Sequence, residues 1–154
     1  MKKELFSACL AVAMGAGAGY ATTVYAQAKP EVLVKQRQAA MTLIGKYFGP
    51  VNGMAQGKVP FNAEVADRNA DFLEALSKMP WDGFHANTKD SDVKNRALPA
   101  IWENADKFKE ASDRFQKAAT KLASVSKGDE AAFKTAAGEL GKTCGGCHND
   151  FRAK

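Results

Sequence analysis

Two cysteines and a histidine near the C-terminal end of the sequence carry its clearest chemical signal. Cys144, Cys147 and His148 form a Cys-x-x-Cys-His run, which is the attachment signature of a c-type haem. Thiols three residues apart lie on one face of a helix, where each can bond one vinyl group of the porphyrin. The histidine that follows is then held as an axial ligand of the iron. The spacing predicts one covalently bound haem c per chain, attached through Cys144 and Cys147, with His148 as the metal ligand.

A Cys-x-x-Cys pair also occurs in other kinds of site. A thioredoxin-like redox pair belongs to a βαβ pattern, and no such pattern is visible in this sequence. A zinc site needs two further ligands, but His85 is the single additional histidine and Cys9 lies in the predicted leader. A structural disulfide stays compatible with an oxidising compartment. Of these readings we favour haem attachment.

The N-terminal segment has the composition of a secretory signal peptide. Lys2 and Lys3 precede a short apolar run over residues 5–14, and Val24-Tyr25-Ala26 is a suitable cleavage site. The apolar run is too short to span a membrane. We therefore expect a signal peptide at residues 1–26 and a single periplasmic domain at residues 27–154. The formal net charge of +5 is small and dispersed, which gives no indication of nucleic-acid binding.

Hydrophobic periodicity predicts four helices in that domain. They cover residues 30–48, ended by Gly49 and Pro50; 62–78, capped by Asn62; 99–126; and 129 almost to the end, capped by Asp129. Residues 80–98 are expected to be irregular. Long amphipathic helices with short connections predict an all-α fold, an antiparallel four-helix bundle with covalently attached haem.

Two residues of the first predicted helix, Arg37 and Met41, have side chains that could contact a haem. Arg37 takes a position where the periodicity would place an apolar residue, and a charge there needs a partner such as a haem propionate. Met41 follows one turn later, and a thioether can coordinate haem iron. Since six residues follow His148, we expect an earlier part of the chain to cover the other side of the iron. His85 is expected in an exposed loop, away from the iron.

Taken together, the sequence resembles the cytochromes c′, the mainly high-spin branch of the class II c-type cytochromes. The resemblance spans the predicted domain. Its carriers are the Cys-x-x-Cys-His run with Phe151 and Arg152, Lys29-Pro30-Glu31, residues 37–44, Pro80-Trp81 with Phe84, and Ile101-Trp102.

This resemblance implies an iron with a vacant sixth position that binds nitric oxide and carbon monoxide, transfers electrons with an unidentified periplasmic redox partner, or does both. It also implies that Met41 and Phe84 cover the distal pocket without coordinating, that Arg37 contacts a propionate, and that Arg152 lies at the proximal face. The alternative is a low-spin cytochrome with Met41 and His148 as ligands, acting purely as an electron carrier for an unidentified periplasmic redox partner. Peroxidase-type turnover would need a distal acid–base group, and no suitable residue appears, so we expect no enzyme activity.

Several packing expectations accompany these site predictions. The resemblance implies a homodimer formed by the first two helices, and Leu43 and Leu73 are apolar residues left over for such an interface. Trp102 and Phe115 are expected in the core. Phe48, Phe72 and Phe133 suit either the haem pocket or the core, and Asn69 either a buried or an interface position.

Overall fold

Four long helices form the protein, which is described here by a computed structural model covering residues 28–154. The helices are α1 (Pro30–Ala55), α2 (Ala63–Leu76), the short α3 (Ala100–Glu103), α4 (Ala105–Val125) and α5 (Glu130–Phe151). Helix α1 packs against α2 and α5, and α4 packs against the same two helices. Short connections make α1 antiparallel to α2 and α4 antiparallel to α5. The predicted all-α, antiparallel four-helix bundle is confirmed, and the predicted signal peptide lies outside the described residues.

Helix α1 continues through the residues that were predicted to end it. It contains Pro50 and ends at Ala55, although a proline inside a helix costs about 3 kcal/mol or more. Val51 and Met54, which follow the proline, are only 0% and 2% exposed. Burying each of these side chains contributes about 1.5–3 kcal/mol. Their place in the bundle core therefore outweighs the local cost of Pro50.

The single helix predicted over residues 99–126 is wrong, because Asn104 interrupts it. The backbone of Asn104 has φ −125° and ψ 54°, outside the helical region, between α3 and α4. The change of direction lets Ile101 pack with Phe151 in a small cluster near the end of the bundle. Leu122 of α4 faces the main core instead. Two separate apolar clusters thus require a bend that helical periodicity does not reveal.

Both predicted helix caps are present. The side chain of Asn62 accepts a hydrogen bond from the Val65 amide at 2.9 Å, and Asp129 accepts one from the Ala132 amide at 3.0 Å. The expectation that Leu73 is left over at the surface is wrong, because Leu73 is fully buried in the main core. Its neighbour Phe72, 100° further round the helix, is exposed instead.

Within residues 28–154, no helix combines the length and the hydrophobicity needed to cross a bilayer.

Candidate haem site

One large cavity lies between α1, α5 and the connection that follows α2. Its volume is about 750 Å³, within the range of sites that enclose a small organic ligand or cofactor. Most of its surface is apolar, with Ile44, Trp81 and Phe115 among the lining side chains. Every site residue predicted from the sequence lines this cavity: Arg37, Met41, Phe84, Cys144, Cys147, His148 and Arg152. The bundle therefore brings together groups that are up to 115 positions apart, Arg37 and Arg152.

The last two turns of α5 present the cysteines and the histidine to the cavity. Cys144, Cys147 and His148 occupy helical positions i, i+3 and i+4, so they share one face. Both cysteines are free and half-buried. Gly145 and Gly146, between them, face open space. The helix thus holds two thiols and an imidazole along one edge of the cavity, as the haem-attachment prediction requires.

Partial desolvation at the cavity shifts the pKa of each of these three groups. It raises the pKa of the Cys144 thiol, and it raises that of Cys147, to which the nearby Asp150 carboxylate also contributes. Both groups are therefore neutral thiols at neutral pH. Burial and the charge of Arg96 lower the pKa of His148. A neutral imidazole is the form that can donate a lone pair to a metal.

The C-terminal residues are tied to the connection between α2 and α3. Arg152 was predicted one helical turn beyond His148, but it is the C-cap of α5, in an extended conformation with φ −133° and ψ 129°. Its neighbours pair with the connection: the Leu98 amide donates to the Phe151 carbonyl at 3.0 Å, and the Ala153 amide donates to the Arg96 carbonyl at 2.8 Å. The side chain of Arg152 is thereby held at the cavity wall.

Arg37 is a buried cation at the first-helix side of the cavity. Its side chain is 4% exposed, and its guanidinium donates to the carbonyl of Gly83 and, at 2.9 Å, to Oδ1 of Asn95. Desolvation lowers the pKa of Arg37. Met41 lies one turn further along α1, partly buried against the main core, and faces the same cavity.

Aromatic rings form another part of the cavity wall. Phe84 and Trp81 have ring centroids 6.2 Å apart, and Phe108 packs against Phe84 at 4.9 Å and against Phe151 at 5.2 Å. The indole of Trp102 donates to the Phe84 carbonyl at 3.0 Å. These contacts fix the short 3₁₀ turn that carries Phe84.

Sequence reasoning missed three polar cavity residues in the irregular segment. Lys94, Asn95 and Arg96 line the cavity together with Arg37 and Arg152. The side chain of Asn95 accepts from Arg37 and from the Ala97 amide and donates to the Val93 carbonyl at 2.7 Å. A polar run within an irregular segment was the available signal, but nothing in its spacing indicates which residues turn inward.

The groups around the cavity match what a haem c demands. Two thiols and an imidazole lie on one helix face, the interior is apolar, and four cations, Arg37, Lys94, Arg96 and Arg152, line the wall. Among the described residues that line the cavity, none is an aspartate or glutamate. An apolar ring system with two carboxylate substituents is complementary to this arrangement. The residues therefore fit the group that the sequence predicts.

The remaining sequence candidates divide between cavity, core and surface. Phe48 lines the cavity, whereas Phe133 is fully buried in the main core and Phe72 is 42% exposed. Trp102 packs in the small cluster and Phe115 in the main core. Asn69 is buried, at 2% exposure. His85 is exposed and exchanges a hydrogen bond with Asn87, away from the cavity lining.

Comparison with known proteins gives one family. The family model described as cytochrome c′ matches residues 32–152. Cytochrome c′ from Rubrivivax gelatinosus is 45% identical over 127 residues, which are 82% of this chain and 98% of that protein.

Solved structures agree with this match. The crystal structure of the Rubrivivax gelatinosus protein superposes with a TM-score of 0.78 at 44% identity, covering 81% of this chain and 98% of that one. The nitric oxide complex of a mutant of cytochrome c′ from Alcaligenes xylosoxidans superposes with a TM-score of 0.74 at 36% identity, covering 82% and 98%. The chain therefore belongs to the cytochrome c′ family of haem proteins.

Proposed function

We propose that this protein is a periplasmic haem c protein with one five-coordinate haem per chain, which binds nitric oxide and carbon monoxide and exchanges electrons. One observation carries the proposal: His148 is the single imidazole among the described residues that line the cavity, and no carboxylate accompanies it. When bound, the haem supplies an iron centre that coordinates small molecules and exchanges single electrons.

The residues that line the cavity have separate roles in this function. Cys144 and Cys147 hold the haem by thioether bonds, and His148 donates its lone pair to the iron. Arg37 is directed at a propionate, with Lys94 and Arg96 as further cations on the same wall. Arg152 lies on the proximal side, near His148. These assignments rest on where each side chain meets the cavity.

Ligand selectivity follows from the apolar lining. Met41, Phe84 and Trp81 offer no donor to the cavity, because the Trp81 indole donates to the Ser77 carbonyl at 2.7 Å. Neutral diatomic ligands, which bind without a stabilising hydrogen bond, are favoured in such surroundings. That the relative from Alcaligenes xylosoxidans was solved as a nitric oxide complex supports this proposal.

The second candidate function is purely electron transfer, with Met41 and His148 both bound to the iron. The observation that favours it is that Met41 lines the cavity with a thioether, a known haem ligand. Acid–base turnover is not expected, because the described residues that line the cavity include no aspartate or glutamate and His148 is assigned to the iron.

The absorption spectrum of the ferrous holoprotein distinguishes these functions. A five-coordinate high-spin spectrum that changes on addition of carbon monoxide or nitric oxide is the expected result. A six-coordinate low-spin spectrum that Met41→Ala converts to high-spin would establish the electron carrier instead. A low-spin spectrum that persists in Met41→Ala would mean that another residue is the sixth ligand. It would contradict both the vacant sixth position and the coordination of the iron by Met41.

We further propose that the chain forms a homodimer through α1 and α2. An apolar patch supports this, formed by Leu43, Tyr47 and Phe72. Leu43 and Phe72 are 40% and 42% exposed, and the rings of Tyr47 and Phe72 pack in a tilted arrangement with centroids 4.7 Å apart.

We also propose that residues 1–26 direct export to the periplasm and are removed by cleavage after Ala26. N-terminal sequencing of the exported protein tests this proposal, and the expected first residue is Gln27.

A further inference from the structure

Phe48 separates the cavity from a second space at the protein surface. The second space is a groove of about 440 Å³ between the C-terminal half of α1 and the middle of α5. Asn52 and Gln56 line it from α1, and Gly138 and Gly141 line it from α5. Among the described residues, Phe48 is the single one that lines both the cavity and the groove. Its half-buried side chain is therefore the partition between them.

The glycines of α5 leave the ring of Phe48 room to move. A Cβ atom added at Gly141 would lie 3.3 Å from Cζ of Phe48, so a side chain there would press on the ring. A Cβ atom added at Gly138, one turn earlier on the same wall of the groove, would meet nothing within 4 Å. The ring thus borders open space on its groove side. Rotation of the ring toward this space is the movement that would join the groove with the cavity.

The polar wall of the cavity is a poor entrance for an uncharged ligand. Arg37, Lys94 and Arg96 lie there, and they are the cations assigned above to the propionates. Phe48 lies seven residues after Met41 on α1, two turns further along the same helix face. A ligand that passed Phe48 would enter along the face that Met41 covers.

We propose that Phe48 is the gate through which small uncharged ligands pass from the groove to the iron, and that its ring determines how large a ligand can enter. This inference rests on the proposed function and deepens it. It assigns selectivity by size to Phe48, whereas Met41 covers the coordination position itself.

Carbon monoxide association with the ferrous holoprotein measures the gate directly. Phe48→Leu should raise the association rate about tenfold, which corresponds to removing about 1.4 kcal/mol from the entry barrier. Gly141→Ala should lower the rate, because Gly141 lines the groove and not the cavity, so its methyl group presses the ring toward the closed position. Gly138→Ala is the matched control, with the same added methyl group and no contact to Phe48, and should leave the rate unchanged.

Ligand size gives a second measurement. With n-butyl isocyanide as the probe, Phe48→Leu should raise the association rate by a larger factor than it does for carbon monoxide. Equal factors for both ligands would overturn the assignment of size selectivity to Phe48. Equal carbon monoxide rates in Gly141→Ala and Gly138→Ala would overturn the gate itself.

Crystals of the holoprotein under xenon pressure test the gate without a ligand that coordinates iron, because the xenon positions show which spaces are connected. In Phe48→Leu, xenon should occupy the position of the missing ring and connect the groove with the cavity. Xenon positions identical to those of the original protein would overturn the proposal. Because xenon does not coordinate iron, this result is independent of whether the sixth position is vacant. Failure of the gate and failure of the proposed function are thereby distinguishable.

Discussion

The guanidinium of Arg37 lies over the ring of Phe84, with its central carbon 4.6 Å from the ring centroid. The same group donates to the carbonyl of Gly83 and to the side chain of Asn95. A single side chain of α1 therefore joins a 3₁₀ turn and an irregular connection to the first helix. None of the ion pairs formed within residues 28–154 includes Arg37. The protein partners of this buried cation are therefore neutral, and an anion can approach it from the cavity.

Replacing Arg37 tests both of its roles. Arg37→Gln should lower the free energy of unfolding of the holoprotein by about 1.5–3 kcal/mol, the usual contribution of hydrogen bonds to a charged group. It should also lower the reduction potential, since removing a cation near the iron favours the more positively charged ferric state. Denaturant titration and potentiometry measure the two effects. Arg68→Gln, at an exposed position of α2, is the control, and an equal change in potential there would contradict a specific role for Arg37.

Gly83 is the residue that allows Arg37 and Phe84 to approach each other. A Cβ atom at position 83 would overlap Cβ of Arg37 and would lie 2.8 Å from the Leu33 carbonyl oxygen. Gly83→Ala should therefore destabilise the protein by about 1–3 kcal/mol, as overpacking does, and should displace the 3₁₀ turn. Thermal unfolding of the holoprotein checks this.

The control for that substitution is an exposed glycine in the middle of α5. An added Cβ at Gly138 would meet nothing within 4 Å, so Gly138→Ala should stabilise the helix by up to about 1 kcal/mol. A loss of stability in Gly138→Ala equal to that in Gly83→Ala would show that crowding at Gly83 is not the cause.

The sequence predicted the helices well where one local rule decides them, and less well where distant packing does. Asn62 and Asp129 cap their helices as expected, because capping depends on residues three positions apart. Pro50 breaks its local rule because Val51 and Met54 bury their side chains against other helices. Asn104 bends the chain because two apolar clusters must be filled. Neither cause is visible without the tertiary structure.

The same distinction holds for the candidate site. Cys144, Cys147 and His148 were predictable because their spacing on one helix encodes their geometry. Arg37 stood out because it is a charge in an apolar stripe. Lys94 and Arg96 did not, because an irregular segment has no periodicity to show which side chains turn inward. Arg96 is placed by a hydrogen bond from the amide of Ala153, 57 positions later, to its carbonyl. The carbonyl of Lys94 accepts a hydrogen bond from the side chain of Gln38 at 3.0 Å.

Met41 should limit access to the iron if the sixth position is vacant. Met41→Ala removes most of a side chain that lines the cavity, so the carbon monoxide association rate should rise by about tenfold, equivalent to about 1.4 kcal/mol in the barrier. Val32→Ala, at a 43% exposed position on α1, should leave the rate unchanged. An unchanged rate in Met41→Ala would show that Met41 does not cover the sixth coordination position.

The two cysteines should each contribute one thioether bond. Cys144→Ser and Cys147→Ser should each retain covalent haem through the remaining thiol, with a pyridine haemochrome band shifted to longer wavelength by the unsaturated vinyl group. The double variant should release its haem into acidified acetone. Thr143→Val, which changes the residue next to Cys144 and removes no thiol, should give the original spectrum. Haem that resists extraction from the double variant would contradict the attachment assignment.

The apolar patch of α1 and α2 should control dimer formation. Leu43 lies one turn before Tyr47 on α1, and the ring of Tyr47 packs against that of Phe72 of α2, so a charge at Phe72 would be placed within the patch. Phe72→Glu should shift the dimer–monomer equilibrium toward monomer by at least about tenfold, since burying an unpaired carboxylate at an interface costs more than about 1.4 kcal/mol. Sedimentation velocity across a range of protein concentrations measures the shift. Val59→Glu, at a 47% exposed position in the α1–α2 connection, introduces the same charge outside the patch and should leave the dimer intact. A concentration-independent monomer in the original protein would refute the dimer, whereas dissociation by both variants would mean that the interface lies elsewhere.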